Sequence, residues 1–178
     1  MFEPIANEGI GAEKGPRPKL KIPYTQFESY CEIIAAVVLI AMAVYITAIW
    51  AKLPAQIPGH FNIMGQPDRW DGRNSIFSIL GIVFALYAGI SVLQRFPHIY
   101  NYPFGLTPQN VHQQYQLARQ LLVLIKTEIV CILSFILAGI MNIALGRSQT
   151  LGLWCVPAMI VAILITIVQY GVRASKAR

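Results

Sequence analysis

Leu53-Pro54-Ala55-Gln56-Ile57-Pro58-Gly59-His60-Phe61-Asn62-Ile63-Met64-Gly65-Gln66-Pro67-Asp68-Arg69-Trp70 is a polar, proline-rich passage set between two long apolar runs. Each run approaches the roughly 20 residues a helix needs to cross the hydrocarbon core of a bilayer. The passage is therefore expected at a membrane surface, tethered by two helix ends. Working outward, apolar stretches recur at about 33–50, 76–94, 126–146 and 151–170. The expected fold class is an all-α membrane protein of four transmembrane helices, with an ordered extracytoplasmic hook between the first two and an amphipathic cytoplasmic segment before the third.

Composition agrees with this. The chain has 178 residues, 56% hydrophobic and 12% charged, against about 45–50% and 25% for ordinary soluble domains. Its net charge of +6 is not the footprint of nucleic-acid binding, because the basic residues cluster beside apolar runs and no nucleic-acid motif occurs. The first apolar run is longer than a signal-peptide core and lacks a small-x-small cleavage site, so it is expected to be an anchor. Cys31, Cys131 and Cys155 fall in or beside apolar runs without metal or redox spacing and are expected to act as small hydrophobes.

Lys and Arg counts orient the spans. Lys14, Arg17, Lys19, Lys21, Arg95, Arg119, Lys126, Arg173, Lys176 and Arg178 fall on one side; Lys52, Arg69, Arg73 and Arg147 fall on the other. Both termini are thus expected in the cytoplasm, and the proline-rich passage on the outer face of the membrane. Residues 1–24 read as a flexible tail rich in Gly, Pro and charge, followed by a membrane domain over 25–178. Tyr24, Phe27 and Tyr30, then Glu32, read as the first turns of a helix whose aromatics lie in the cytoplasmic interface; Trp50, Trp70 and Trp154 suit the opposite one.

Thr107-Pro108 reads as a helix start, with Thr107 the cap and Pro108 at the first position. Val111, Tyr115, Ala118, Leu122 and Ile125 then define one face, with Gln113, Gln114, Gln116 and Gln120 opposite. Pro157 is expected to kink the fourth span. Gly81, Ala85 and Gly89 form a small-residue stripe that permits close helix approach. Ser78, Ser91, Asn142 and Thr166 are polar groups able to join helices.

Within the outer passage, Pro54 and Pro58 restrain the backbone, Ile57 to Met64 reads as an extended arm, Asn62 to Gly65 as a turn and Pro67-Asp68 as a second turn. Pro54, Pro58, Gly65 and Pro67 are the structural residues. His60, Asn62, Asp68, Arg69 and Trp70 are the candidate binding residues. His60, Asn62, Asp68 and Asp71 do not have zinc-ligand spacing; the alternative is that His60 and Asn62 bond the local backbone while Asp68 pairs with Arg69 or Arg73. Glu128 falls at the edge of the third span and is expected to form an ion pair with Arg95 or Arg173. No phosphate loop, nucleophile elbow or paired carboxylates occur. No enzyme activity, cofactor, metal or nucleic-acid partner is expected.

The motif L-P-A-Q-I-P-G-H-F-N-I-M-G-Q-P-D-R-W over 53–70 closely resembles the signature of the SdpI immunity protein family of bacterial membrane proteins, whose members carry a domain of unknown function. Asn101-Tyr102-Pro103, then Thr107, Asn110, Gln114, Tyr115, Ala118, Arg119, Lys126, Glu128 and Ile129, are similar to its short members. The chain is too short for the additional spans of longer members, and Asp71 and Arg73 stand where a small residue and Lys are expected. The resemblance implies an integral protein of the cytoplasmic membrane and, by analogy, resistance to a secreted toxic peptide. The residues leave three expectations: a non-enzymatic module that binds a peptide or lipid at the outer face, an accessory subunit of a larger membrane complex, or a metal-dependent membrane enzyme. Membrane lipid and a membrane protein or peptide are the expected partners, with an oligomer or complex as the setting.

Overall fold

The structure, a computed structural model, describes residues 17–152 and 154–178. Four helices are long and apolar enough to cross a membrane, the architecture of a multi-pass membrane protein. They are α1 (Gln26–Ile49), α2 (Ser75–Leu93), α3 (Val111–Ala144) and α4 (Cys155–Lys176). A short 3₁₀ turn, Trp50–Lys52, ends α1, and another, Pro97–Ile99, follows α2. Strands β1 (Gln56–Phe61) and β2 (Pro67–Gly72) form an antiparallel hairpin between α1 and α2.

α3 is the hub, contacting α1, α2, α4 and β1. One third of its apolar window is buried, against 6% for α4, which lies at the periphery. At 34 residues and 1.5 Å per residue, α3 is about 50 Å long, so one end must project beyond a hydrocarbon core of about 30 Å. The expected surface segment and third span are thus one continuous helix. At the hairpin end, Met42, Ile46, Ile49, Leu53, Ile57, Ile76, Leu137, Ile140 and Met141 form one apolar core.

α1 begins at Gln26, ahead of the apolar run and within the first helical turns expected over Tyr24 to Glu32, because Thr25 and Glu28 form a capping box. Several sequence expectations are corrected. α3 begins at Val111: Thr107 and Asn110 cap each other across a turn (Asn110 N to Thr107 Oγ1 3.2 Å, Thr107 N to Asn110 Oδ1 2.8 Å) that precedes the helix. Gln114 is not on a solvated face; it is fully buried and its amide donates to the Ala174 and Ala177 carbonyls at the end of α4. Pro157 falls in the first turn of α4, where the N–H it lacks has no helical partner, so no kink follows. A Cβ at Gly81 or Gly89 would meet nothing within 4 Å, so the small-residue stripe brings no described helix close.

Of the tail expected over 1–24, residues 1–16 lie outside the described residues. From Arg17 the chain is held: the Arg17 guanidinium donates to the Tyr100 carbonyl and lies over the Tyr102 ring, 5.7 Å from its centroid. Burial, the largest cause, pushes the Tyr100 and Tyr102 phenols above their ordinary pKa. They remain donors, to the carbonyls of Leu93 and Pro97 respectively.

Candidate functional site: the hairpin and a buried charge network

The hairpin is built from a rooted strand and an exposed one. In β1, Ile57 is completely buried in the apolar core and Pro58 is buried beside it, whereas Asp68, Arg69 and Trp70 of β2 are exposed. Ile57 faces Asp71, and Pro58 faces Trp70; register shifts then leave Gly59 on β1 and Asp68 on β2 without direct partners. The bulge at Gly59 admits the Asp71 side chain: a Cβ there would lie 2.0 Å from Asp71 Oδ2, a clash that requires glycine.

Asn62 makes the turn. Its Oδ1 accepts from the Met64 and Gln66 backbone N–H groups at 2.9 and 3.0 Å, and the Asn62 N–H donates to the Gln66 carbonyl at 2.9 Å. Gly65 takes φ +74°, a conformation natural to glycine, and its carbonyl accepts from Leu151 N–H at 2.9 Å. The tip is thereby fastened to the α3–α4 loop. At the base, Arg73 N–H donates to the Ala55 carbonyl, its guanidinium donates to the Leu53 carbonyl at 3.3 Å, and the same group lies 5.0 Å from the Trp50 ring centroid. Pro67-Asp68 is not a second turn; it opens β2, because Asn62 completes the reversal first.

Asp68 pairs with neither Arg69 nor Arg73. Its Oδ1 lies at hydrogen-bond distance, 2.6 Å, from His60 Nδ1, and Arg69 instead reaches Asp71 at 3.3 Å and the Gly59 carbonyl at 3.2 Å. The hairpin therefore brings His60 and Asp68 together on its exposed side, and Asn62, also exposed, holds the turn. Among the described residues no three His, Cys, Asp or Glu side chains converge on a metal position.

At the opposite end of α1 lies a second constellation that sequence reading did not single out. Arg119 Nε and Nη2 donate to Glu28 at 2.7 and 3.1 Å, while Nη1 and Nη2 donate to the Ile22 and Pro23 carbonyls at 2.6 and 2.7 Å. Lys126 Nζ donates to both Glu32 oxygens at 2.7 and 2.6 Å and to Ser91 Oγ at 2.8 Å. Gln94 Nε2 ties Glu32 to the Tyr24 hydroxyl at 2.7 and 2.9 Å. Glu28 and Lys126 are fully buried, and the Arg119 and Lys126 cations lie over the rings of Tyr24 and Tyr87 at 4.6 and 4.8 Å.

Two carboxylates four residues apart on α1 thus face two cations seven apart on α3, each spacing keeping one helical face. Burying such ions is tolerable only because every charge is paired and bonded. The signal was present in Thr25-Gln26-Phe27-Glu28, which spells a capping box. The pairing across 91 and 94 residues was not.

Glu128 lies elsewhere. Its Oε1 accepts from Thr166 Oγ1 on α4 at 2.6 Å. Arg95 and Arg173 are exposed at helix ends and make no ion pair among the described residues, so the expected Glu128 pairing is replaced by a hydroxyl that faces it directly. Asn142, as expected, joins helices, accepting from Tyr45 OH at 3.2 Å.

No curated protein and no solved structure matches the chain. Residues 37–84, which take in the second half of α1, the whole hairpin and the first half of α2, match the family model described as a domain of unknown function, DUF1648.

Proposed function

We propose that the protein is a non-enzymatic recognition or sensing protein of a bacterial cytoplasmic membrane, with cytoplasmic termini and with the hairpin as its outer binding element. The observation that supports this reading is that the hairpin is braced at its root by Ile57, at its base by Arg73 and at its tip by Gly65, while Ile63, Met64 and Trp70 stand 91, 55 and 49% exposed on it. An element ordered before it binds loses little further entropy on binding. Large apolar groups held rigidly in the open suit a partner that covers them.

The ligand class we favour is an extended peptide. A two-stranded sheet has no inner strand, so the exposed β2 offers an edge for strand addition, with Trp70 as apolar anchor and the His60–Asp68 pair as polar contact. Resistance to a secreted toxic peptide, implied by the resemblance of the 53–70 motif, is the specific form this would take.

Photo-crosslinking groups placed at Met64 and Trp70 in living cells test the reading. A crosslinked peptide at both positions is the expected result. Crosslinks to phospholipid alone, or to a stoichiometric larger membrane protein that co-purifies in mild detergent, would replace it with a lipid-contacting or accessory-subunit role.

A further inference from the structure

The outer edge of β2 is bare, and the ladder shows which of its backbone groups face outward. Arg73 N–H donates to the Ala55 carbonyl, so residues 55 and 73 form a hydrogen-bonded pair, and an antiparallel ladder alternates from there. Gln56 with Gly72 is then a non-bonded pair, Ile57 with Asp71 a bonded one, and Pro58 with Trp70 non-bonded. Pro58, Trp70 and Gly72 therefore turn their backbones away from the ladder. On β1 the outward position is a proline, which has no N–H to offer a further strand, and β1 packs on α3. On β2, Trp70 and Gly72 are exposed, and outside the ladder no hydrogen bond among the described residues engages their N–H or C=O groups. An edge of that kind is a template for another strand.

The side chains decide which strand fits. Arg69 and Asp71, both accessible, flank Trp70 with opposite charges. If β2 pairs antiparallel with β2 of a second copy, outward residues must meet outward residues, so the register centres on a residue and not between two. Centring on Asp68 or Asp71 would oppose two carboxylates, and centring on Arg69 two guanidinium groups; like charges directly opposite are destabilising. Centring on Gly72 would run past the end of β2 and would need Arg73, which is held at the Leu53 carbonyl and the Trp50 ring. Centring on Trp70 pairs Trp70 with its mate and places each Arg69 opposite Asp71 of the other copy. β2 is thus self-complementary in one register.

We infer that two copies of the chain pair through β2, joining their hairpins into one four-stranded sheet with Trp70 on the two-fold axis. The interface is isologous, the same strand on both sides. A two-fold that relates antiparallel strands of one sheet is perpendicular to that sheet. Ile57 drops from the sheet into the apolar core at the ends of α1 and α3, and a strand's side chains stand roughly perpendicular to its sheet, so the axis lies broadly along the helices. That is the direction two membrane proteins inserted the same way round require. The pairing goes beyond the peptide reading but uses the same edge, so a peptide that adds to β2 displaces the second copy.

The test uses the full chain in membranes, with Cys31, Cys131 and Cys155 replaced and one cysteine introduced at a time under a mild oxidant. Trp70→Cys should yield a disulfide-linked dimer, because Cα atoms of a bonded pair lie about 5.5 Å apart, within disulfide reach. Arg69→Cys and Asp71→Cys should yield little, because each lies two residues along the strand from its own mate, about 8 Å away, beyond that reach. Adding Arg69→Glu to Trp70→Cys should abolish the dimer, since the new carboxylate faces Asp71 of the second copy. Adding Gly72→Pro instead removes an outward N–H but no ladder bond, and should weaken the dimer while amide exchange over 62–66 stays slow. Equal linkage at all three positions, no linkage at Trp70→Cys, or linkage there that Arg69→Glu leaves unchanged would overturn the pairing. None of these results decides the peptide reading, whose failure is read from what Met64 captures.

Discussion

Two ion pairs stand on the hairpin and two in the network at the far end of α1, and they have opposite physical roles. On the hairpin, His60–Asp68 and Arg69–Asp71 join near neighbours in the chain, and their side chains are 38–63% exposed. Pairs of that kind contribute about 0–1 kcal/mol, so they leave the hairpin's stability to Ile57, Asn62 and the glycines. In the network, Glu28–Arg119 and Glu32–Lys126 join α1 to α3 across long stretches of chain, and all but Glu32 are nearly inaccessible. There the charges cannot be removed singly. Charge on the hairpin stands open to solvent; charge in the network is enclosed by the fold.

The sharpest way to break this comparison is to show that the two ends do not lie on opposite sides of the membrane. Cysteines at Ala55 and Gln109, both exposed, in a background lacking Cys31, Cys131 and Cys155, should respond in an all-or-none manner to an impermeant thiol reagent applied from outside. Ala55→Cys should label and Gln109→Cys should not. The reverse pattern would invert the topology.

The next largest effect belongs to the network. Lys126→Met leaves Glu32 without its cation, and losing one partner of a buried pair costs about 3–5 kcal/mol. The variant should melt far below wild type or fail to accumulate in membranes. Adding Glu32→Leu should restore most of the loss, because the isolated charge goes with it. A single variant of wild-type stability would show that the network is not committed to the fold.

On the hairpin, effects should be smaller and should divide by residue. Asn62→Ala removes the acceptor of the Met64 and Gln66 N–H groups on an exposed turn, a loss of about 0.5–1.5 kcal/mol per hydrogen bond, and amide exchange should quicken over 62–66. His60→Ala and Asp68→Ala should shift stability by less than about 1 kcal/mol while reducing crosslinking to the partner. If those two destabilise as much as Asn62→Ala does, the His60–Asp68 pair is scaffold and the contrast between the two ends fails.

Local chemistry made much of this legible before any coordinates. Hydropathy alone marked the four helices, since a helix in hydrocarbon satisfies its own backbone groups and needs only about 20 apolar residues in succession. Pro54, Pro58, Asn62 and Gly65 announced an ordered reversal between α1 and α2 because their φ preferences and side-chain acceptors act within a few residues. What the sequence could not disclose were the pairings. Glu28 and Glu32 gave no sign of their partners, and Gln114 looked like a solvated face, because the groups that satisfy them, Arg119, Lys126 and the last carbonyls of α4, are 60 to 94 residues away. Asp68 chose His60 over the adjacent Arg69 because the bulges in the hairpin, a property of two strands together, set which side chains meet. Burial of a charge is decided by its partner's position in space, and only the packed helices determine that.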